Sequence, residues 1–353
     1  AFPMICGNLL QQLYNVADTL IVGRFLGSDA LGAVGSSYTL MTFLTSILLG
    51  LCMGSGALFS VCWGQRDLAK LRRQTHAAFV LIAVCTVVLN AAAFLLLDAM
   101  KTLLSVPAEV WPLMRSYLFV IFFGIGGTFL YNYYASLLRA VGNSLVPLLF
   151  LAASAVLNIA LDLVFVLVCR WGVEGAAAAT VLAQWLSGIG TAVYTLVRCP
   201  ELRARREERR ITGAMLRELL SASVLTCLQQ SVMNLGILMV QGRINSFGPV
   251  IMAAFAAAVK IDSFAYMPLQ DFGNAFSTFI AQNYGAQQPE RIHRGIRTAV
   301  LLSSVFAVCV SACVVLLAAP LLGLFLQPGE TEILQAGVTY LRIAGAFYVG
   351  IGG

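Results

Sequence analysis

The sequence has little charge and almost no histidine. Only 11% of its 353 residues are charged and 59% are hydrophobic, whereas about a quarter of the residues in a soluble domain are charged. A water-soluble globular protein is therefore excluded. With only two histidines, a histidine-based metal centre is not expected, and the nine cysteines form no CxxC pair. Cysteines scattered through apolar runs act as small buried hydrophobes, so neither a disulfide framework nor a zinc site is predicted.

Long apolar runs separated by short polar breaks predict ten membrane-spanning helices. Each run has roughly 20 residues or more, which at about 1.5 Å per residue crosses a hydrocarbon core ~30 Å thick. The breaks contain the glycine, proline, asparagine and aspartate residues that are typical of turns. The predicted helices lie near residues 1–26, 34–63, 75–98, 110–138, 145–169, 172–197, 214–242, 249–281, 296–325 and 334–353.

Basic residues are concentrated on alternate breaks, which predicts the orientation of the chain. By the positive-inside rule the richer side is cytoplasmic, in a multi-pass protein of the plasma membrane, the inner membrane of the cell. The basic run at 198–210 is interpreted as a topology signal at the lipid surface, and no nucleic-acid partner is expected. The richer side carries Arg66, Lys70, Arg72, Arg73, Arg139, Arg198, Arg203, Arg205, Arg206, Arg209, Arg210, Arg291, Arg294 and Arg297, against Arg24, Lys101, Arg170 and Arg243 on the other side.

The chain also contains an internal repeat, with an offset of about 220 residues. Six predicted spans fit within one copy, and an even number of spans gives both copies the same direction across the membrane. The repeat is therefore parallel, with a pseudo-twofold axis along the membrane normal and an expected cavity between the halves. Three matches in order carry this prediction: Leu10-Gln11-Gln12 with Leu228-Gln229-Gln230, Gly23-Arg24 with Gly242-Arg243, and the loops at Gly64 and Leu71-Arg72-Arg73 with Gly285 and Ile292-His293-Arg294.

The repeat defines the predicted domains. Residues 1–197 form an N-lobe of six transmembrane helices, 198–213 a basic cytoplasmic linker, and 214–353 a C-lobe with about four of its six helices. A complete second copy would need about two more helices, and the chain starts inside a helix without a methionine, so we expect a fragment. The fold class is an all-α polytopic membrane protein with two parallel six-helix repeats, the second of them truncated.

Several motifs resemble those of the multidrug and toxic compound extrusion (MATE) family. The resemblance covers essentially the whole chain and implies a twelve-helix, two-lobed antiporter that exports organic, mostly cationic and amphipathic compounds in exchange for H⁺ or Na⁺. It implies no cofactor beyond that coupling ion, no enzymatic activity, and a monomer in the lipid bilayer. The motifs are Gln11-Gln12-Leu13-Tyr14-Asn15-Val16-Ala17-Asp18, Gly23-Arg24-Phe25-Leu26-Gly27, Arg139-Ala140-Val141-Gly142-Asn143 with Pro147, Gln241-Gly242-Arg243-Ile244-Asn245-Ser246-Phe247-Gly248, and Gln282-Asn283-Tyr284-Gly285-Ala286.

Four polar side chains on three predicted helices share a similar depth in the outer half of the membrane. Asp18, Asp162 and Thr180 lie about 10–12 Å below the outer ends of their helices, and Asn158 about 16 Å. A charge at mid-span costs on the order of 2.5–3.5 kcal/mol on insertion scales, so each charged residue at this depth is expected to have a structural or functional role. Two carboxylates with amide and hydroxyl oxygens can coordinate Na⁺, and a desolvated carboxylate can also carry a proton. The alternative is that these groups only hydrogen-bond to one another and hold helices together.

The resemblance adds roles to these positions. The DinF-like branch of the MATE family uses such a constellation as its cation site, and its residues correspond to Asp18, Asn158, Asp162 and Thr180. The proline associated with bending of the first helix corresponds to Pro3, and its neighbouring tyrosine to Tyr14. A purely structural kink is the alternative interpretation of Pro3.

The eighth predicted helix is a candidate substrate cavity. Lys260 lies about 16 Å from the outer end of that helix, near the midplane, and Asp262 follows two residues later. Aromatic and methionine side chains beside them could line an adaptable cavity for flat cations: Phe264, Tyr266 and Met267. The alternative is ordinary packing or lipid contact. The seventh helix has no acid in its middle, because Glu218 lies near its cytoplasmic end, so a carboxylate cation site in the C-lobe is not expected.

Two further classes of function were weighed. A lipid-linked-precursor flippase is the alternative function, because related families share the architecture; it requires a strongly basic central cavity, for which only Lys260 and Arg115 are candidates. An intramembrane enzyme is excluded by the lack of aspartate-rich prenyltransfer motifs, paired-histidine metal motifs and catalytic dyads. The spacing of Gly50 and Gly54 predicts close helix packing.

Overall fold

The structure, a computed structural model, describes residues 2–26, 28–103, 110–245, 249–323 and 331–347. Within these ranges the chain is helical, with short turns and no strand. The helices are α1 (Phe2–Leu26), α2 (Ser28–Gly64), α3 (Leu68–Leu95), α4 (Ala99–Leu103), α5 (Trp111–Ile121), α6 (Ile125–Ala140), α7 (Leu145–Asp162), α8 (Gly172–Arg198), α9 (Gly213–Asn245), α10 (Pro249–Gly285), α11 (Pro289–Leu316), α12 (Ala318–Gly323) and α13 (Thr331–Ala346).

Short non-α segments interrupt or follow some of these helices. A 3₁₀ turn at Phe122–Gly124 joins α5 to α6 in one long span, and a π-helical segment at Leu163–Val168 continues α7. Between α8 and α9 the basic linker contains two 3₁₀ turns, Pro200–Leu202 and Arg206–Arg209.

Each of the ten predicted spans contains an observed helix. In the described residues six helical segments are long and apolar enough to cross a membrane: Ala33–Gly64, Leu68–Leu95, Trp111–Ala140, Leu145–Val168, Gly172–Arg198 and Pro289–Leu316. At the helix starts the largest differences are at α3 and α11, which begin seven residues before their predicted positions. The ninth predicted span is also divided, because α11 ends at Leu316 and α12 follows it. Polar, basic first turns were expected to be loops, but they are helical extensions of the apolar spans. Asp67 caps the extension of α3, since its carboxylate accepts a 2.8 Å hydrogen bond from the Lys70 amide.

Helix lengths reproduce the internal repeat. α2 and α10 each have 37 residues, and α3 and α11 each have 28. Both ends of both pairs are related by the same shift of 221 residues. The turn between each pair is also the same: Arg66 and Gln287 have positive φ angles of 58° and 54°. In both turns the next amide donates to the carbonyl five residues earlier, at 3.2 and 3.0 Å. The predicted repeat is therefore confirmed for these helices, while truncation of the second copy stays a prediction.

The chain forms two compact units, of which the larger comprises residues 6–234. Its core contains α2, α3, α5, α6 and α8, with fully buried Phe59, Phe122 and Leu138. Glycines bring α6 and α8 close together, because a Cβ added to Gly188 would lie 2.6 Å from the carbonyl oxygen of Gly127. This unit extends into α9, so it does not end at the predicted linker, and the predicted lobe boundary at 198–213 stays a prediction.

The outer faces of this unit are strongly apolar. Val87 on α3, Val156 on α7 and Val197 on α8 are about 70% exposed (68%, 70% and 68%). Large apolar side chains exposed along whole helices are atypical of a protein surrounded by water and are expected of helices in contact with lipid.

The second unit comprises residues 235–353 together with residues 1–5. Its described part has a core of its own, in which Ala258 and Ile261 of α10, Val314 of α11 and Leu341 of α13 are buried. Ser311 of α11 donates a 2.6 Å hydrogen bond to the carbonyl of Gly345 in α13, so these two helices are joined by a polar contact as well.

Candidate cation site

The site is built on the buried face of α7. Leu151, Ser154, Asn158 and Asp162 are all buried, and they follow one another at three- or four-residue intervals. This spacing places them on one side of a helix. Asn158 is 1% exposed and Asp162 is fully buried. Asn158 and Asp162 therefore share one face of α7, and that face points into the unit.

Thr180 connects α8 to this face. The side-chain amide of Asn158 donates a 3.3 Å hydrogen bond to Thr180 Oγ1. The Thr180 hydroxyl in turn donates to the carbonyl of Ala176 in its own helix, at 3.1 Å. The Asn158 amide and the Thr180 hydroxyl thus each donate one hydrogen bond, whereas Asn158 Oδ1 is buried and receives none from a described residue.

Asp18 comes from α1, which touches α7 at Gly7. A Cβ added to Gly7 of α1 would lie 3.5 Å from Leu151 Cδ2, so the two helices are in contact there. Asp18 and Asp162 are close enough for their negative charges to repel each other. The structure therefore brings together all four residues that were predicted to form the site, from three helices.

Four acceptor oxygens of this cluster have no donor. Asp18 Oδ1, Asn158 Oδ1 and both carboxylate oxygens of Asp162 are buried and receive no hydrogen bond from any described residue. Buried acceptors without donors are costly, and two carboxylates that repel each other add to that cost. A cation offsets both costs: Na⁺ accepts such oxygen ligands, and a proton on one carboxyl converts an acceptor into a donor.

The kinds of atom present restrict which cation fits. Among the described residues no three His, Cys, Asp or Glu side chains form a group that could hold a metal ion. The cluster offers only carboxylate, amide and hydroxyl oxygens, without the nitrogen or sulfur ligands that transition metals prefer. The ligand atoms present therefore suit a hard cation or a proton.

Two features of the site were not predicted from the sequence. Tyr117 of α5 is 5% exposed, and both Asp18 and Asp162 act on its hydroxyl electrostatically. It lies about 10 Å below the outer end of its span, so applying the depth argument to hydroxyl groups would have found it. The second feature is the π-helical segment Leu163–Val168, which begins directly after Asp162. π-helical turns within α-helices are frequent at functional sites.

Of the two residues that the resemblance added, Tyr14 and Pro3, only Tyr14 has a described side chain. Tyr14 lies on α1 one turn before Asp18, and the two interact electrostatically. Pro3 lies in the first turn of α1, but its side chain is outside the described residues, and its role in bending stays a prediction.

Most of the predicted substrate cavity lies outside the described residues. The side chains of Lys260, Phe264, Tyr266 and Met267 belong to that group. Asp262 is half-buried and interacts electrostatically with Tyr340 of α13. The proposed cavity is therefore untested.

In the described residues, six apolar helical segments long enough to cross a membrane, with a polar cluster enclosed among them, are the features of a polytopic membrane protein. The sequence profile described as MatE matches residues 3–164 and 222–353. The "Probable multidrug resistance protein YpnP" of Bacillus subtilis is 30% identical over 293 residues, which is 83% of this chain and 65% of that protein. The "Probable multidrug resistance protein YoeA" of the same organism is 27% identical over 336 residues, covering 93% and 73% of the two chains. The chain belongs to the MatE family, the MATE family of multidrug efflux transporters.

A solved structure confirms the fold. A MOP superfamily transporter from Pyrococcus furiosus superposes with a TM-score of 0.92 at 22% identity, over 99% of this chain and 77% of that one. The predicted family and fold class are thus confirmed, whereas the assignment to the DinF-like branch stays a prediction. The chain spans just under two thirds of the length of YpnP, so the activity of the whole protein is treated below as a proposal.

Proposed function

We propose that the protein is a secondary active antiporter that exports organic, mostly cationic and amphipathic compounds in exchange for H⁺ or Na⁺. One observation carries the ion-coupling part of this proposal: four buried acceptor oxygens of Asp18, Asn158 and Asp162 have no donor among the described residues. In a family of multidrug efflux transporters, a buried carboxylate cluster whose oxygens have no donor among the described residues is a natural place for the coupling ion. The branch of the family that the sequence resembles supports the same assignment.

The coupling ion acts through its preference for one conformation. An ion shifts a conformational equilibrium only by as much as it binds one state better than the other. Cation binding removes the repulsion between Asp18 on α1 and Asp162 on α7, so it favours states in which these helices are close together. Release of the ion restores the repulsion and favours their separation. This difference links ion movement to the packing of α1.

The substrate class rests on the relatives. YpnP and YoeA are both named as probable multidrug resistance proteins, which supports small organic compounds as cargo, and neither name favours the flippase alternative. We further propose a monomer in the plasma membrane, with the basic loops in the cytoplasm, as the distribution of Lys and Arg favours.

The proposal is tested by dye export from proteoliposomes. The protein, expressed from its complete gene, is reconstituted and the efflux of a fluorescent cationic dye is followed under an imposed pH gradient, a Na⁺ gradient or neither. We expect faster efflux with one of the two gradients, and loss of this acceleration in Asp162→Asn. Asp98→Asn is the matched control, since Asp98 is an exposed carboxylate paired with Arg115 at 2.8 Å. Dye efflux at the same rate with either gradient and with no gradient would reject antiport.

A further inference from the structure

α9 lies against α2 along a line of small residues. A Cβ added to Gly50 would lie 2.5 Å from Cys227 Cα, and one added to Gly54 would lie 2.7 Å from the carbonyl oxygen of Ala222. Neither position has room for a methyl group, and both obstacles are backbone atoms. Gly50 and Gly54 were predicted to permit close packing, and the structure identifies α9 as their partner. We call this contact, Gly50, Gly54 and Ser55 with Ser223 and Cys227, the α2–α9 seam.

The polar contacts along the seam are few and long. The hydroxyls of Ser55 and Ser223 are 3.4 Å apart, and the Cys227 thiol approaches the carbonyl of Ile47 at 3.7 Å. The seam is therefore held mainly by van der Waals contact between smooth surfaces. Such a surface can part without leaving strong donors or acceptors unsatisfied.

Glu218 links α9 to α3 at the end of the seam near the basic loops. Two side chains of α3 donate hydrogen bonds to the carboxylate of Glu218 in α9. Lys70 Nζ donates to Oε1 at 2.9 Å, and the Gln74 side-chain amide donates to Oε2 at 2.6 Å. The side chains of Lys70 and Glu218 are 36% and 40% exposed. Water can therefore replace these partners when the contact opens, as it does for exposed ion pairs in general.

The position of α9 in the chain gives this contact its meaning. α2 and α3 belong to the first copy of the repeat, while the second MatE match begins inside α9, at residue 222. A transporter with alternating access must open and close contacts between its repeats. We propose that the α2–α9 seam parts during the transport cycle and that Glu218, held by Lys70 and Gln74, is the latch that keeps its basic end closed. This inference rests on the proposed antiport function.

A reversible cross-link tests whether the seam must part. Ser55→Cys and Ser223→Cys are combined in a background whose native cysteines are replaced, and the protein is oxidised after reconstitution. We expect the disulfide to abolish dye efflux and a reductant to restore it. Efflux that continues in the fully cross-linked protein would overturn the inference while leaving the antiport function standing.

Thiol labelling tests the latch without any transport. In the same background, the single Ser223→Cys variant is labelled with a membrane-impermeant maleimide applied from the basic side. Adding Glu218→Gln should speed the labelling by up to about fivefold, the effect expected on losing one exposed ion pair. Glu207→Gln is the matched control, because it removes the same charge from an exposed position of the linker. Equal labelling rates in Glu218→Gln and its parent would overturn the latch, even if dye efflux is absent from every variant.

Discussion

Replacing Thr180 with valine tests the geometry of the site without changing its charge. Valine has nearly the shape of threonine, so the change removes a hydroxyl and leaves no cavity. Two bonds are lost: the one that Thr180 donates to Ala176 and the one that it accepts from Asn158. The second loss matters more, because the buried amide of Asn158 then has a donor with no acceptor.

The magnitude follows from that 3.3 Å bond. Leaving a buried polar group unsatisfied costs about 1–3 kcal/mol, but side-chain hydrogen bonds within membranes average about 0.6 kcal/mol with a maximum of about 1.7 kcal/mol. A bond at the long end of the usual range should lie between these figures, at about 1 kcal/mol. For the compact unit of residues 6–234, which contains the site, that corresponds to roughly 2–4 °C in the midpoint of thermal unfolding.

Thermal unfolding of the purified protein in detergent measures this shift. Thr195→Val is the matched control, because Thr195 is also buried in α8 but bonds only to its own helix, through the Thr191 carbonyl at 2.8 Å. Thr180→Ser keeps the hydroxyl and should retain most of the stability. If Thr180→Val and Thr195→Val lower the midpoint equally, or if Thr180→Val does not lower it, the contact between α7 and α8 at the site is wrongly described.

Two further predictions concern the framework around the site. Gly188→Leu should lower the unfolding midpoint by several degrees, since overpacking against backbone costs about 1–3 kcal/mol. Gly273→Ala is the control and should be neutral or stabilising, because its added methyl meets nothing within 4 Å. Equal midpoints in the two variants would contradict the close α6–α8 packing. Arg72 Nη2 lies 2.8 Å from Glu208 Oε1 in the linker and holds the pKa of that carboxyl below its ordinary value. The docking it provides should therefore be complete at neutral pH and be lost as the pH falls below about 4.3, through the lowered pKa. Arg72→Ala should accelerate tryptic cleavage of the linker at neutral pH. In the unchanged protein the protection of linker amides from hydrogen exchange, taken relative to the intrinsic exchange rate at each pH, should fall only in acid. An unaltered cleavage rate would show that the pair does not hold the linker.

Much of this architecture could be predicted from the sequence because the membrane imposes simple rules. Apolar runs of sufficient length must be helical, so each of the ten predicted ranges contains an observed helix, and six described segments are long and apolar enough to cross a membrane. Polar residues inside such runs are rare and expensive, so Asp18, Asn158, Asp162 and Thr180 could be selected by depth alone. The structure adds that Asn158 and Thr180 are directly bonded.

The features that escaped prediction depend on tertiary contacts or on subtle local geometry. A tyrosine in an apolar span is unremarkable by composition, and only its depth, close to that of Asp18 and Asp162, distinguishes Tyr117 in the sequence. The π-helical segment after Asp162 leaves the hydrophobic pattern of its span unchanged. The pair Gly50 and Gly54 predicted close packing, but spacing along one helix does not name the partner helix. The early starts of α3 and α11 were missed because charged residues at a helix end look the same as a loop.

Asp18 and Asp162 are proposed to hold the coupling ion, and a flux measurement without a gradient distinguishes this role from a role in transport itself. Substrate exchange at equilibrium, with dye on both sides of the proteoliposome and no ion gradient, is compared with efflux driven by the gradient that accelerates the unchanged protein. We predict that Asp162→Asn retains much of the equilibrium exchange but gains nothing from the gradient, and that Asp18→Asn behaves in the same way. Gradient-driven acceleration of normal size in both variants would contradict the account.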